Sequence, residues 1–93
     1  MWWVYVVRCA DDTLYCGIAR DVAARLAEHE AGTGAKYTRG RGPLTLVLKR
    51  GCRAKGTALR LEYAIKQLTR AEKQRLDGKQ VAAIARRVSR ATS

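Results

Sequence analysis

The hydrophobic and polar positions along the chain predict three strands and four helices, in the order β-β-α-β-α-α-α. Residues 2–9 are aromatic and β-branched, which favours a strand. A short acidic turn follows, and residues 14–18 predict a second strand that pairs with the first as an antiparallel hairpin. Beyond Pro43, leucines that alternate with other residues predict a third strand.

Helical spacing dominates the remaining segments. Asp21 is placed to cap a first helix over residues 22–31, and Gly32 is placed to end it. A second helix is predicted from about residue 54 to residue 68, with a buried stripe of Ala58, Leu61, Ile65 and Leu68. Thr69 and Glu72 have the spacing of a capping box, so a short third helix is expected from Arg70.

The last predicted helix is amphipathic and follows the break at Asp77 and Gly78. Its apolar positions are Val81, Ile84, Ala85 and Val88. Together the elements predict an α+β fold, a small three-stranded and at least partly antiparallel sheet flanked by helices. At 93 residues the chain is expected to form a single domain, in which residues 77–93 supply a C-terminal amphipathic helix and basic tail.

Charge narrows the class of partner. Nineteen Lys and Arg residues against eight Asp and Glu residues give a formal charge of +11, while 47% hydrophobic residues argue against a disordered basic chain. The length excludes a multidomain enzyme. The charge favours a polyanionic partner, with nucleic acid first and an anionic membrane surface second. No apolar stretch is long enough to cross a membrane.

The three cysteines, Cys9, Cys16 and Cys52, are odd in number and form no CxxC pair. No signal peptide precedes them, so reduced thiols in the cytoplasm are expected rather than a disulfide framework. A zinc site that combines these cysteines with His29 has no support from their spacing.

Five positions carry candidate chemistry, and each has a purely structural alternative. Arg25 and His29 lie one turn apart on the side of the first helix that faces the sheet, where they are either site residues or a surface cation and a satisfied core histidine. Glu62 lies at the edge of an apolar stripe, so it is either a metal ligand or the partner of Lys66. The paired tyrosines of the hairpin are either site residues or core rings with hydrated hydroxyls.

These positions resemble a known family. Trp3-Val4-Tyr5 and, about ten residues later, Tyr15-Cys16-Gly17 resemble the two half-motifs of the GIY-YIG nuclease domain. Arg25, His29 and Glu62 fall where that family carries its helix arginine, its His or Tyr and its metal-binding glutamate. The resemblance is to the short, stand-alone bacterial members, and it assigns residues 1–76 to the GIY-YIG-like domain. Trp3 stands in place of the first glycine, Ala19 in place of a common hydroxyl residue, and the sequence contains no asparagine.

The resemblance implies an endonuclease that uses Mg²⁺ or Mn²⁺ to hydrolyse DNA phosphodiester bonds, with branched or flapped DNA of repair or recombination as the expected substrate. Glu62 would hold the metal, Arg25 would stabilise transition-state charge, and Tyr15 would position water and phosphate. Tyr5 would be the general base. His29, with an ordinary pKa near 6.5 against about 10 for tyrosine, is the alternative base, and the sequence leaves the choice open.

DNA contacts are expected from the glycine-rich basic loop and from the second helix, at Lys36, Tyr37, Arg39, Arg41 and Lys66. Single-stranded DNA and RNA stay open as ligands, and a protein partner is expected to supply specificity. The alternative to a nuclease is a GIY-YIG-fold module that binds nucleic acid with little or no catalysis, and Tyr37 would then stack on an unpaired base. A basic ribosome-associated protein is a third interpretation.

Overall fold

The computed structural model of the protein describes residues 1–30 and 43–90, and it confirms the predicted order of elements. The strands are β1 (Trp2–Arg8), β2 (Leu14–Ala19) and β3 (Thr45–Cys52). The helices are α1 (Val22–Glu30), α2 (Lys55–Lys66), α3 (Arg70–Gln74) and α4 (Gly78–Arg90). In the described residues no helix is both long enough and apolar enough to span a membrane.

The sheet has the strand order β2-β1-β3, and both pairings are antiparallel. Its hairpin turns at Asp12, whose φ of 68° lies in the left-handed region that short polar residues tolerate. The turn is closed by backbone bonds between Cys9 and Thr13 (2.8 Å) and between Asp12 and Cys9 (2.9 Å). This turn sets the register that places Tyr5 opposite Gly17.

Helices cover both faces of the central strand, because its residues alternate between two hydrophobic clusters. Val4 and Val6 belong to the larger cluster, which is formed with α2 and α4. Tyr5 and Val7 belong to the smaller cluster, which is formed with Val22 of α1. We call these the α2 face and the α1 face of the sheet. The predicted stripe of α2 is buried, except that Leu68 is half-buried beyond the helix end.

The third strand differs from its predicted alternation. The register of β1 against β3 shifts between Val6 and Val7, so that Val6 pairs with Leu48 and Val7 with Leu46. Val47 lies between these two pairs and has no partner on β1. One extra residue on one of two paired strands is a β-bulge. Val47 therefore packs against the larger cluster, while Leu46 is 38% exposed.

Two predicted helix starts are confirmed. The Asp21 carboxylate accepts a hydrogen bond from the backbone N–H of Ala24 (3.1 Å). Thr69 and Glu72 form both bonds of the capping box, at 3.1 Å and 2.9 Å. The expected stop at Gly32 lies outside the described residues. Cys9, Cys16 and Cys52 are buried free thiols.

Candidate active site

Three aromatic rings from three different elements meet on the α1 face of the sheet. Tyr5 comes from β1, Tyr15 from β2 and His29 from the last turn of α1. The ring centroids are 6.4 Å apart for Tyr5 and Tyr15, 6.1 Å for Tyr5 and His29, and 5.4 Å for Tyr15 and His29. These spacings are those of interacting aromatic pairs. We call this group the aromatic cluster; it brings together residues that are up to 24 positions apart in sequence.

A buried hydrogen bond connects two members of the aromatic cluster. The Tyr5 hydroxyl lies 2.9 Å from Nε2 of His29, and the two residues are 1% and 2% exposed. Arg25 lies near enough to the Tyr5 hydroxyl to act on it, and its hydrogen-bonding and positive charge oppose the rise in the pKa of Tyr5. Because a guanidinium can only donate, the Tyr5 oxygen can serve Arg25 only as an acceptor, which leaves its own proton able to donate to His29.

Burial shifts both titratable groups away from their charged forms. It raises the pKa of Tyr5 to about 12, against the opposing influence of Arg25. It lowers the pKa of His29, and the positive charge of Arg25 lowers it further. Near neutral pH the pair is therefore a neutral phenol beside a neutral imidazole. His29 is the better proton acceptor of the two.

Gly17 makes room for the aromatic cluster. A Cβ at this position would lie 2.7 Å from the Tyr5 hydroxyl oxygen and 3.2 Å from the Tyr15 ring. A residue without a side chain is therefore needed here, which is one reason for a glycine inside a strand.

Arg25 is held in place by its own helix. Its guanidinium forms a 2.7 Å ion pair with Glu28, and this contact raises the pKa of Arg25 above its usual value. Arg25 is half-buried, so it contacts Tyr5 on one side and solvent on the other. The prediction that Arg25 and His29 both face the sheet agrees with these contacts.

Glu62 does not join the aromatic cluster. It lies on α2, which packs against the α2 face of the sheet, and its negative charge contributes to raising the pKa of the buried Cys16 thiol to about 12, after burial itself. Its carboxylate is 3.6 Å from the ammonium of Lys66, and its side chain is 18% exposed. The structural pairing with Lys66 is therefore present, although 3.6 Å is a long contact.

A hollow lies beside β2 on the side where α2 and α3 pack. It has a volume of about 250 Å³ and is lined by Val6, Leu14, Tyr15, Cys16, Lys66 and Lys73. Tyr15, a member of the aromatic cluster, borders it, and so does Lys66 from the helix that carries Glu62. We call it the β2-edge hollow. Lys73 was missed in the sequence, because it lies on α3 and only the packing of α3 brings it to β2.

The donor set suits a hard, mostly hydrated cation. In the part of the chain that the structure describes, no three His, Cys, Asp or Glu side chains cluster as a metal site would require. Mg²⁺, however, commonly takes one or two carboxylates and completes its octahedron with waters and a substrate phosphate. A single half-buried carboxylate at Glu62 fits that pattern and would not fit a site that is closed by protein ligands.

Four predicted DNA contacts, Lys36, Tyr37, Arg39 and Arg41, lie outside the described residues. Lys66 lies within them and is exposed at the β2-edge hollow.

The chain is a small α+β domain whose tyrosine hairpin packs against a helix that carries an arginine and a histidine, and comparison with known proteins identifies its family. Residues 1–76 match the GIY-YIG catalytic domain, and the chain belongs to the GIY-YIG family.

Relatives with about 50% sequence identity align with most of this chain. The UPF0213 protein of Cronobacter sakazakii is 51% identical over 75 residues, which are 81% of this chain and 79% of that protein. The UPF0213 protein of Halobacterium salinarum is 55% identical over 73 residues, which are 78% of this chain and 95% of that protein. The solution NMR structure of a UPF0213 protein from Bacillus halodurans is 44% identical, with a TM-score of 0.52 and 80% of each chain covered.

Proposed function

We propose that the protein is a divalent-metal-dependent endonuclease that hydrolyses phosphodiester bonds in DNA, with branched or flapped repair and recombination intermediates as its substrates. The observation that carries the proposal is the convergence of Tyr5 from the hairpin with His29 and Arg25 from α1, where Tyr5 and His29 are hydrogen-bonded and Tyr15 also borders the β2-edge hollow. The formal charge of +11 supports a polyanionic substrate. The buried free thiols are consistent with the reducing cytoplasm.

Proton transfer is assigned to Tyr5 and His29 together. As the attacking water forms its bond to phosphorus, the P–O bond to the leaving sugar oxygen breaks and that oxygen takes a proton from solvent. The Tyr5 oxygen takes the proton of the attacking water and passes its own proton to Nε2 of His29. The 2.9 Å bond permits the second transfer, and the lowered pKa of His29 keeps the imidazole neutral and able to accept. The proposal uses both candidate bases as a pair, since a phenol with a pKa of about 12 is almost wholly protonated near neutral pH and has little phenolate to act as a base by itself.

Charge stabilisation is assigned to Arg25 and to the metal. A positioned general base contributes only about 10²–10⁴-fold, whereas phosphate-ester hydrolysis requires acceleration near the top of the enzymatic range. Electrostatic groups must therefore supply most of the rate. Arg25 keeps a full positive charge and is fixed by Glu28. Glu62 would hold Mg²⁺ or Mn²⁺, which when bound would polarise the scissile phosphate.

A second candidate function is nucleic-acid binding with little or no catalysis. The position of Glu62 favours it, because this carboxylate is paired with Lys66 and belongs to the α2 face, opposite the aromatic cluster. Under this candidate the exposed cations near the end of β3, Lys49, Arg50, Arg53 and Lys55, would contact phosphates.

Cleavage of a DNA panel distinguishes the two candidates. Branched, flapped, single-stranded and duplex DNA are incubated with Mg²⁺, Mn²⁺ or EDTA, using the wild type, Glu62→Gln and the charge-matched control Asp77→Asn at the start of α4. We expect metal-dependent cutting that falls by about 10²-fold or more in Glu62→Gln, while binding and the control are unchanged. Binding without metal-dependent cutting of any substrate would establish the second candidate instead.

A further inference from the structure

A second hollow adjoins the β2-edge hollow on the side of the hairpin turn. It has a volume of about 230 Å³ and is lined by Thr13, Leu14, Arg70, Lys73 and Gln74. Leu14 and Lys73 line both hollows, so the two are continuous along the outer edge of β2. We call the combined feature the β2-edge cleft. Its charged lining residues, Lys66, Arg70 and Lys73, are all cations.

The two cations supplied by α3 are not neutralised. Within residues 1–30 and 43–90, neither Arg70 nor Lys73 takes part in an ion pair. They lie three positions apart on one helix, which puts their side chains on neighbouring sites of the same surface. Lys73 is also half-buried, and holding an ammonium there favours an anion as its neighbour.

The nearby carboxylates are engaged elsewhere. Asp12 pairs with Arg8 at 3.2 Å, and Asp11 accepts from the Thr13 hydroxyl at 2.6 Å. Glu72 closes the capping box of α3. Each of these three acids thus has a partner other than Lys73.

We propose that the β2-edge cleft binds the sugar-phosphate backbone that flanks the scissile phosphate, with Lys73 and Arg70 as the phosphate contacts. This inference rests on the proposed function for the identity of the strand. Tyr15 lines the first hollow and Arg70 lines the second, so the bound strand would run from the side of Tyr15 along β2 toward the hairpin turn. α3 is thereby part of the substrate surface.

The test is the salt dependence of binding, measured in EDTA so that cleavage does not enter. A fluorescein-labelled oligothymidylate is titrated with the wild type, Lys73→Ala, Arg70→Ala and the double variant. Each lost phosphate contact in a single strand is expected to reduce the slope of log K against log salt by about 0.7. Lys79→Ala and Arg86→Ala, exposed cations of α4, remove the same charge away from the cleft and should leave the slope unchanged.

Two further measurements locate the effect. Lys73→Arg should keep the wild-type slope, because it retains the charge. Amide resonances of Thr13 and Gln74, which line the outer hollow, should shift when the oligonucleotide is added. The inference is overturned if the folded double variant keeps the wild-type slope, or if these resonances do not move.

These outcomes are separable from the proposed nuclease activity. A reduced slope in a protein that cuts no DNA would support the cleft and reject the nuclease. Metal-dependent cutting with an unchanged slope would do the reverse.

Discussion

At the scale of single residues, Gly17 determines whether two tyrosines can share one face of a two-stranded hairpin. It lies directly opposite Tyr5, whose hydroxyl is hydrogen-bonded to His29. The ring therefore has little freedom to move away from a new methyl group. No left-handed backbone is involved, since Asp12 alone among the described non-glycine residues has a positive φ and Gly17 shows none.

We expect Gly17→Ala to lower the free energy of unfolding by about 1–3 kcal/mol, the usual cost of overpacking a core. The added Cβ would lie 2.7 Å from the Tyr5 hydroxyl oxygen. The matched control is Gly78→Ala at the start of α4, where no atom lies within 4 Å of the new Cβ and a gain of about 0.4–1 kcal/mol is expected. Urea unfolding of both variants measures the difference, and equal stabilities would contradict the tight contact.

His29 should make stability depend on pH. Because the pKa of His29 is lowered in the folded protein, the unfolded chain binds the proton first as the pH falls. The neutral imidazole thus stabilises the folded protein above about pH 6.5, and this contribution is lost as the pH falls from there toward the pKa of the folded state. The free energy of unfolding falls by at most about 1.4 kcal/mol per pH unit over this range. His29→Gln should flatten this decline between about pH 7 and pH 5.

Urea unfolding at several pH values in that interval measures the effect. The lowered pKa of Glu72 acts below the ordinary range of a carboxyl and so leaves the interval largely undisturbed. A decline of the same steepness in His29→Gln would show that another group is responsible.

At the scale of elements, local signals were sufficient to predict the hairpin and the helix starts. Asp21 and Thr69 act on backbone N–H groups three residues away, so their roles can be inferred from spacing alone. The bulge at Val47 could not be predicted in this way, because it is a relation between β3 and a strand about forty residues earlier.

In the site too, local features could be predicted from the sequence and long-range packing could not. The sequence predicted which side of α1 carries Arg25 and His29, because a helix wheel describes a single element. It did not reveal that Glu62 belongs to the opposite face of the sheet from Tyr5, since that depends on how α2 packs. Lys73 reaches β2 by the same kind of long-range packing, and a lysine on a five-residue helix carries no local signal of it.

The stability of α3 should depend on its capping box. A five-residue helix is too short to be stable in isolation, so Thr69→Ala is expected to cost about 1 kcal/mol and to loosen the helix. Hydrogen exchange at the Lys73 amide, which bonds the Thr69 carbonyl at 2.9 Å, should quicken. Thr69→Ser retains the hydroxyl and is expected to behave as the wild type. Unchanged exchange in Thr69→Ala would mean that packing alone holds α3.

At the scale of the whole molecule, α4 shares its core with the sheet. Val81, Ile84 and Ala85 are buried in the same cluster as Val4 and Val6. That residues 77–93 belong to the same domain as the rest of the chain stays a prediction.

We expect Ile84→Ala to destabilise the entire molecule by about 2–5 kcal/mol as a buried side chain is truncated. Both tryptophans lie on β1, so their fluorescence reports on the sheet while far-ultraviolet circular dichroism reports mainly on the helices. The two unfolding transitions should move together. A helix signal that shifts while the tryptophan signal stays in place would make α4 a separate unit. Arg86→Ala, on the exposed side of α4, serves as the control.

The order β2-β1-β3 puts the earliest strand in the middle of the sheet. During synthesis on the ribosome, one side of β1 can be paired once residue 19 has emerged, whereas its other side must wait for residue 52. For that interval a strongly apolar strand has an open edge, which is the kind of edge that recruits other chains. Until β3 is synthesised and pairs with β1, association of nascent chains through this edge therefore competes with folding.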